Sequence, residues 1–202
     1  MADNVEIIEK TTPFQGYFRV DRYTLRHRRH DGGWTAPMTR EIFERGHAVS
    51  VLLYDPDRDE VGLIEQFRPG ALAAGWAPWL VEVVAGIIDD GDDPEATAIR
   101  EAQEEAGVAI SQLVRVCKYL VTPGGSTESM EIYCARVDSA SLGGIHGLDE
   151  ENEDIRVFSV PTDEAIGWIE TGKVANSCAI IALQWLALNR QKLKALWNKP
   201  AT

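Results

Sequence analysis

Three glutamates near the middle of the chain, Glu101, Glu104 and Glu105, are related by i, i+3 and i+4. On a helix that spacing puts their carboxylates on one face, with Cβ atoms about 5–6 Å apart. Like charges so placed repel, at a few tenths of a kcal/mol per pair, whereas a hard divalent cation such as Mg²⁺ turns the same oxygens into a ligand set. Taken alone, the three also suit a solvated acidic helix face. Arg100 stands four residues before Glu104 and is expected to pair with it. A second acidic concentration runs Asp149-Glu150-Glu151-Asn152-Glu153-Asp154. It reads as a solvated loop, yet in an extended conformation Glu151 and Glu153 would face the same way. Arg40, Arg45 and Arg68 carry fork-shaped donors that suit diphosphate or carboxylate oxygens, and each equally suits a surface ion pair. Pro123-Gly124-Gly125 is a turn whose backbone N–H groups, free of side chains, can approach a ribose or phosphate. His146, isolated among glycines, reads as a structural hydrogen-bonding residue.

The elements that must position these groups follow from periodicity and punctuation. A helix is expected over Pro94 to Ala106: Asp93 suits the N-cap, Pro94 the first turn and Gly107 the C′ position. Its other face, Ala98, Ile99, Ala102 and Ala106, is small and apolar and would pack on a sheet. Strands are expected at 39–45, 48–54, 61–67, 79–84, 114–121, 130–137 and 155–160, with closing helices at 163–171 and about 176–196. Residues 5–30 are strand and hairpin material, closed by Asp31-Gly32-Gly33 after the basic stretch Arg26-His27-Arg28-Arg29-His30. The fold class is therefore α/β, a mixed sheet with helices before and after it. Residues 1–45 are too few to hold a core alone and must pack on the main domain, 46–202, or on a second subunit.

At 202 residues and 22.4 kDa, with 45% hydrophobic and 26% charged residues, the chain has globular composition and room for one ordinary domain with an appendage. The net charge of −12 argues against nucleic acid and anionic membranes as partners. The charge is uneven, since residues 1–45 hold eight cations against seven anions. The amino terminus lacks the basic and apolar regions of a secretory signal, and no apolar run approaches the roughly 18 residues of a membrane span, so a cytoplasmic protein is expected. Cys117, Cys134 and Cys178 have no metal or disulfide spacing and read as small buried apolar residues.

The stretch from Gly86 to Val108 resembles the Nudix hydrolase box: a glycine, a loop, then Arg-Glu-aliphatic-x-Glu-Glu-x-Gly and an aliphatic residue, with Gly86, Arg100, Glu101, Glu104, Glu105 and Gly107 at the fixed positions. One departure is Asp92, where the family usually has glutamate. The similarity extends through Arg40-Glu41-Ile42-Phe43-Glu44-Arg45-Gly46, Glu65-Gln66-Phe67-Arg68, Thr122-Pro123-Gly124-Gly125 with Glu128, and Gly144-Ile145-His146-Gly147-Leu148, and is with the bacterial ADP-ribose pyrophosphatase branch of that family. The resemblance implies a Nudix α/β/α sandwich preceded by a small β segment, and Mg²⁺-dependent hydrolysis of ADP-ribose to AMP and ribose 5-phosphate. It implies two or three Mg²⁺ ions, with Mn²⁺ as a substitute, held by Glu101, Glu105, Glu153 and the carbonyl of Ala85. The base would be Glu151, with Glu104 as its competitor. Tyr17 and Phe18 would hold the adenine, and Arg40, Glu41, Arg45, Arg68, Thr122, Pro123, Gly124 and Glu128 would contact substrate. It further implies a homodimer that exchanges the strands of residues 1–45. Two other readings stand beside this one: a diphosphatase for another nucleoside diphosphate sugar such as GDP-mannose, which shares the box, and a non-catalytic ADP-ribose-sensing module. Sensors of that kind tend to lose the glutamates and carry a basic recognition helix; here the glutamates are intact and no such helix follows residue 160.

Overall fold

In the computed structural model, residues 4–110, 112–148, 150 and 152–197 are described. They form two compact units, one from the chain up to His47 with Leu120–Ser129, the other from Ala48–Tyr119 with the chain from Met130 onward.

The first unit is an antiparallel meander of β1 (Val5–Gln15), β2 (Arg19–His27) and β3 (Met38–Glu44) in the order β1-β2-β3. Every residue of β1 is exposed, Val5, Ile7, Ile8 and Phe14 among them. The one deeply buried charge of β2, Asp21, accepts from Thr12 Oγ1 at 2.7 Å and pairs with Lys10 at 2.8 Å, and those contacts hold its carboxyl below the ordinary range. The expected basic stretch closes the β2 end of the meander, where Trp34 lies beneath the guanidinium groups of Arg26 and Arg28 at 5.0 and 4.5 Å. The Thr122–Gly125 turn joins this unit, because Phe43 N–H donates to Gly125 O at 2.8 Å and Thr127 N–H to Phe43 O at 3.1 Å.

The second unit is built on an eight-stranded sheet. Its main path runs β10-β11-β5-β4-β9-β8, with β6 on β5 and β7 on β4. The strands are β4 (His47–Asp55), β5 (Glu60–Phe67), β6 (Trp79–Glu82), β7 (Val84–Ile88), β8 (Leu113–Leu120), β9 (Ser129–Arg136), β10 (Gly144–His146) and β11 (Ile155–Pro161). The helices are α1 (Pro69–Ala73), α2 (Pro94–Ala106), α3 (Thr162–Thr171) and α4 (Ser177–Trp197). β4 is buried on both faces, which is why Ala48–Tyr54 reads as an apolar run interrupted only by Ser50. Val49, Val51 and Leu53 form one core with Ala98, Ala102 and Ala106 of α2. On the opposite face Tyr54 meets Trp197 of α4, with ring centroids 6.3 Å apart. The sheet is thus covered by helices on both sides, the expected sandwich.

Two local expectations are corrected, those for residues 79–84 and for the cysteines, and two local features are added. The run 79–84 is two strands, because the chain leaves β5 after Glu82 and pairs with β4 from Val84. Residues 69–73 are a short helix, begun by Pro69 at its first turn. Cys134 is buried, whereas Cys117 and Cys178 are only partly so. Asn152 is a left-handed turn residue, with φ 55°; the reading that Glu151 and Glu153 face the same way falls in part on Glu151, outside the described residues.

Asp59, at the β4–β5 turn, is also left-handed, with φ 57°. It is held by Tyr54 OH at 2.8 Å, by Arg190 and Lys194 of α4 at 3.2 and 3.5 Å, and through its carbonyl by Thr162 Oγ1 at 2.8 Å.

Candidate active site

α2 is placed by local chemistry. The Asp93 carboxylate accepts from Ala96 N–H at 3.1 Å, and Gly107 ends the helix at φ 67°. With the apolar stripe on the sheet, Glu101 and Glu105 point toward β7. The Glu101 carboxylate lies directly over Gly86: a Cβ there would be 2.0 Å from its Cδ and 2.1 Å from its Oε1. Glu105 is buried and accepts from Ala85 N–H at 2.9 Å. Burial, followed by the nearby charges of Glu101 and Glu153, outweighs that hydrogen bond and the attraction of Arg68, pushing the Glu105 carboxyl up to about 8. Burial likewise raises Glu101, against its bond from Arg100.

Arg100 meets Glu104 as expected, at the edge of ion-pair range, and has a closer partner. Its main partner is Glu101 at 3.0 Å; Asp92 and Glu104 stand farther off, at 3.7 and 4.0 Å. Glu101, lying over Gly86, accepts from the guanidinium of its neighbour, Arg100 Nη2, at 3.0 Å. Asp92 therefore still faces the box arginine, though one methylene short of the glutamate usual there.

Arg68 follows β5 and donates to Glu82 Oε2 from both Nε (3.2 Å) and Nη2 (2.8 Å). Burial opposes the Arg68 charge, and the Glu82 carboxylate overcomes it, so the guanidinium pKa ends above its ordinary value. Glu153 ties its own loop: its Oε2 accepts from Leu148 N–H at 3.2 Å, and its N–H donates to Leu148 O at 3.2 Å. Gln66, Phe67, Arg68, Pro69, Trp79, Asn152, Glu153 and Asp154 line a cleft of about 390 Å³. Glu151 lies outside the described residues. His146 Nε2 bonds Gly143 O at 2.9 Å and packs on Gly107, the structural part expected of it.

In the first unit, Phe18 packs edge-on against Phe43 and Tyr17, with centroids 4.9 and 4.8 Å away, while Arg45 covers its ring at 5.3 Å. Tyr17 is 87% exposed, so it is the free aromatic face of the pair. Arg40 has no carboxylate partner among the described residues and bonds only Thr39 O, at 2.8 Å. Glu41 pairs with Arg22 at 2.7 Å. Thr122 O accepts from Gly125 and Ser126 N–H at 3.1 and 3.0 Å, so Pro123 and Gly124 form the open tip of a turn. Glu128 follows it, with its N–H on Ser126 Oγ at 3.1 Å.

The NUDIX domain profile matches residues 44–186, which include the Gly86–Val108 stretch and all of α2. The chain belongs to the Nudix hydrolase family. It is 47% identical over 195 residues to the ADP-ribose pyrophosphatase of Escherichia coli (strain K12), covering 96% of this chain and 93% of that one. With the ADP-ribose pyrophosphatase of Haemophilus influenzae it shares 40% over 199 residues, 97% and 92% of the two chains. The GDP-mannose pyrophosphatase of Cronobacter sakazakii is 33% identical over 189 residues, 93% and 97% of the two. A crystal structure of an ADP compounds hydrolase has the same fold, with a TM-score of 0.71 at 20% identity over 93% of this chain and 96% of that one.

The fixed positions of the Nudix box thus have physical grounds here. Gly86 makes room for Glu101, Gly107 takes a left-handed C′ position against His146, and Arg100 partners Glu101. The charges of Arg68 and Glu153 both act on the Glu105 carboxyl. Glu82 and Gln66 were not singled out by sequence. The signal was there: Glu82 is the one charge in the apolar run 79–84, and a charge in such a strand calls for a partner.

Proposed function

We propose that this Nudix hydrolase cleaves the diphosphate of ADP-ribose, taking up water to give AMP and ribose 5-phosphate. The observation that carries this reading is the meeting of half-buried Glu101 and buried Glu105, with the charge of Arg68 acting on Glu105, and the 47% identity to an ADP-ribose pyrophosphatase favours ADP-ribose over GDP-mannose. Among the described residues no three His, Cys, Asp or Glu side chains already enclose an ion. The donor chemistry nonetheless fits a hard divalent cation: the carboxylates repel one another, Glu105 has a single N–H partner, and a Cβ at residue 86 would fill the space Glu101 uses. Glu101, Glu105, Glu153 and the Ala85 carbonyl would hold Mg²⁺, two or three ions, with Mn²⁺ able to replace it. Bound there, the metal would offset the charge of the diphosphate and lower the pKa of water, so that it could lose a proton near neutral pH.

The chain's own groups do the rest. Glu151 accepts the proton of the attacking water, and Glu104 supports Arg100. Arg68 pairs with phosphate oxygens, as do Arg40 and Arg45. Tyr17 and Phe18 hold the adenine, the exposed Tyr17 ring by stacking. Glu41, Thr122, Pro123, Gly124 and Glu128 complete the contacts to the sugars and phosphates. The protein acts in the cytoplasm as a homodimer that exchanges its amino-terminal strands. The exposed apolar residues of β1 favour such an exchange, since a strand with no buried residue gains little within its own chain.

A panel of ADP-ribose, GDP-mannose and other nucleoside diphosphate sugars with saturating Mg²⁺ tests the substrate: ADP-ribose should have the highest kcat/KM, and a preference for GDP-mannose would overturn the reading. For the base, Glu151→Gln should lower kcat by about 10² to 10⁴ with little change in substrate affinity. Glu153→Gln should instead raise the Mg²⁺ needed for half-maximal rate. If Glu104→Gln alone collapses kcat, the base belongs on α2.

A further inference from the structure

The β5–β6 ladder pairs Ile64 with Glu82 and Gln66 with Leu80. Alternate residues of a strand share a face, so Ile64, Gln66 and, just past the strand, Arg68 lie on the side that carries Glu82. Three donors converge there on a single buried oxygen: Glu82 Oε2 takes Arg68 Nε at 3.2 Å, Arg68 Nη2 at 2.8 Å and Gln66 Nε2 at 3.5 Å. Glu82 is only 7% exposed, so this oxygen is not shared with bulk water. A guanidinium has five N–H groups in a rigid fork. Gripped along its Nε–Nη2 side, Arg68 has no acceptor on Nη1 among the described residues, and it stands at the wall of the cleft that Glu153 also lines.

Among the described residues, Glu105 and Glu153 also act on Arg68 by their charge, and Glu153 lines the same cleft. Released from Glu82, the guanidinium would turn to them and lie among carboxylates instead of facing a substrate. We infer that Glu82 is a positioning residue, which holds Arg68 by one edge so that the Nη1 edge is presented to the diphosphate and kept off Glu105 and Glu153. The inference rests on the reading of Arg68 as a diphosphate contact. It assigns a task to a buried charge that a β-strand would otherwise exclude.

The test is a double-mutant cycle in the full-length protein, read with α,β-methylene ADP-ribose, which binds without being hydrolysed. At saturating Mg²⁺, Glu82→Gln should raise the Kd for the analogue about tenfold, the loss expected for one poorly aimed charge-assisted contact. In the Arg68→Ala background the same substitution should change Kd less than twofold, because the residue through which it acts is gone. An equal loss in both backgrounds, or none in the first, would overturn the inference. A second readout needs neither substrate nor metal. The Arg68 Nε–H resonance, assigned by its disappearance in Arg68→Lys, should be sharp and protected in the wild type and lost to exchange in Glu82→Gln; if it persists there, Glu82 does not grip Arg68. Should Glu82→Gln fail to fold, Glu82→Asp keeps the charge and withdraws it by one methylene, and should give a smaller loss with the same dependence on Arg68. A wild type that does not bind the analogue would count against the diphosphate reading itself, while the Nε–H signal still decides whether Glu82 holds Arg68.

Discussion

Gly86 and Glu101 compete for one volume, and only a residue without a side chain lets the carboxylate have it. Gly86→Ala should therefore displace Glu101 and reduce metal-dependent kcat/KM at least 100-fold, while circular dichroism shows the fold retained. Glu101→Gln and Glu105→Gln should each abolish turnover for a different reason, loss of a charged ligand, and both remove a like-charge repulsion from α2. Glu105 adds a pH effect. Its carboxyl ionises near 4.5 when unperturbed and near 8 in the folded protein, so between those values the folded state binds the extra proton. The stability linked to that proton is fully present below about 4.5 and is lost as the pH rises through about 8. In chelator, the wild-type melting temperature should fall between pH 6 and pH 9 more steeply than that of Glu105→Gln. Mg²⁺ should raise the wild-type value more at pH 9, because binding then displaces no proton.

α2 is the element on which the site depends, and its ends can be tested separately from its chemistry. Asp93→Ala removes the cap on Ala96 N–H, which is expected to cost about 1 kcal/mol, a fall of about 2–4 °C in melting temperature for a chain this size. The kcat per folded molecule should not change. Gly107→Ala should be worse, since φ is 67° there and the new Cβ would come within 2.5 Å of His146 Cε1. This helix was legible in the sequence because its determinants are local: cap, proline, terminal glycine and the spacing of Ala98, Ala102 and Ala106 all lie within fifteen residues. The division of 79–84 into β6 and β7 was not, because it depends on which distant strand each half pairs with. The same holds for Glu82, whose partner is 14 residues away in sequence, and for the left-handed Asn152, where an asparagine is permitted but not required to turn. Among the site residues, those within the box could be read by spacing, whereas the grip on Arg68 became visible only once β5 and β6 were side by side.

At the scale of the molecule, a −12 chain that carries eight of its twenty cations in the first 45 residues is electrically lopsided, and the same segment holds the fully exposed β1. If two chains exchange these strands, sedimentation should give twice 22.4 kDa at micromolar concentration. A protein truncated before residue 46 should then sediment as a single chain and lose turnover, since Tyr17, Phe18 and Arg40 go with the deletion. A monomeric wild type with full activity would refute the exchange. The latch on Asp59 has its own consequence. Its turn is specified early in the chain, but the Arg190 that pairs with it follows 131 residues later. At the roughly 5–20 residues per second of synthesis, that interval lasts on the order of ten seconds. Until then the β4–β5 turn has Tyr54 as the local partner of Asp59 but no cation from α4, so the full latch on this corner is completed only by residues made late.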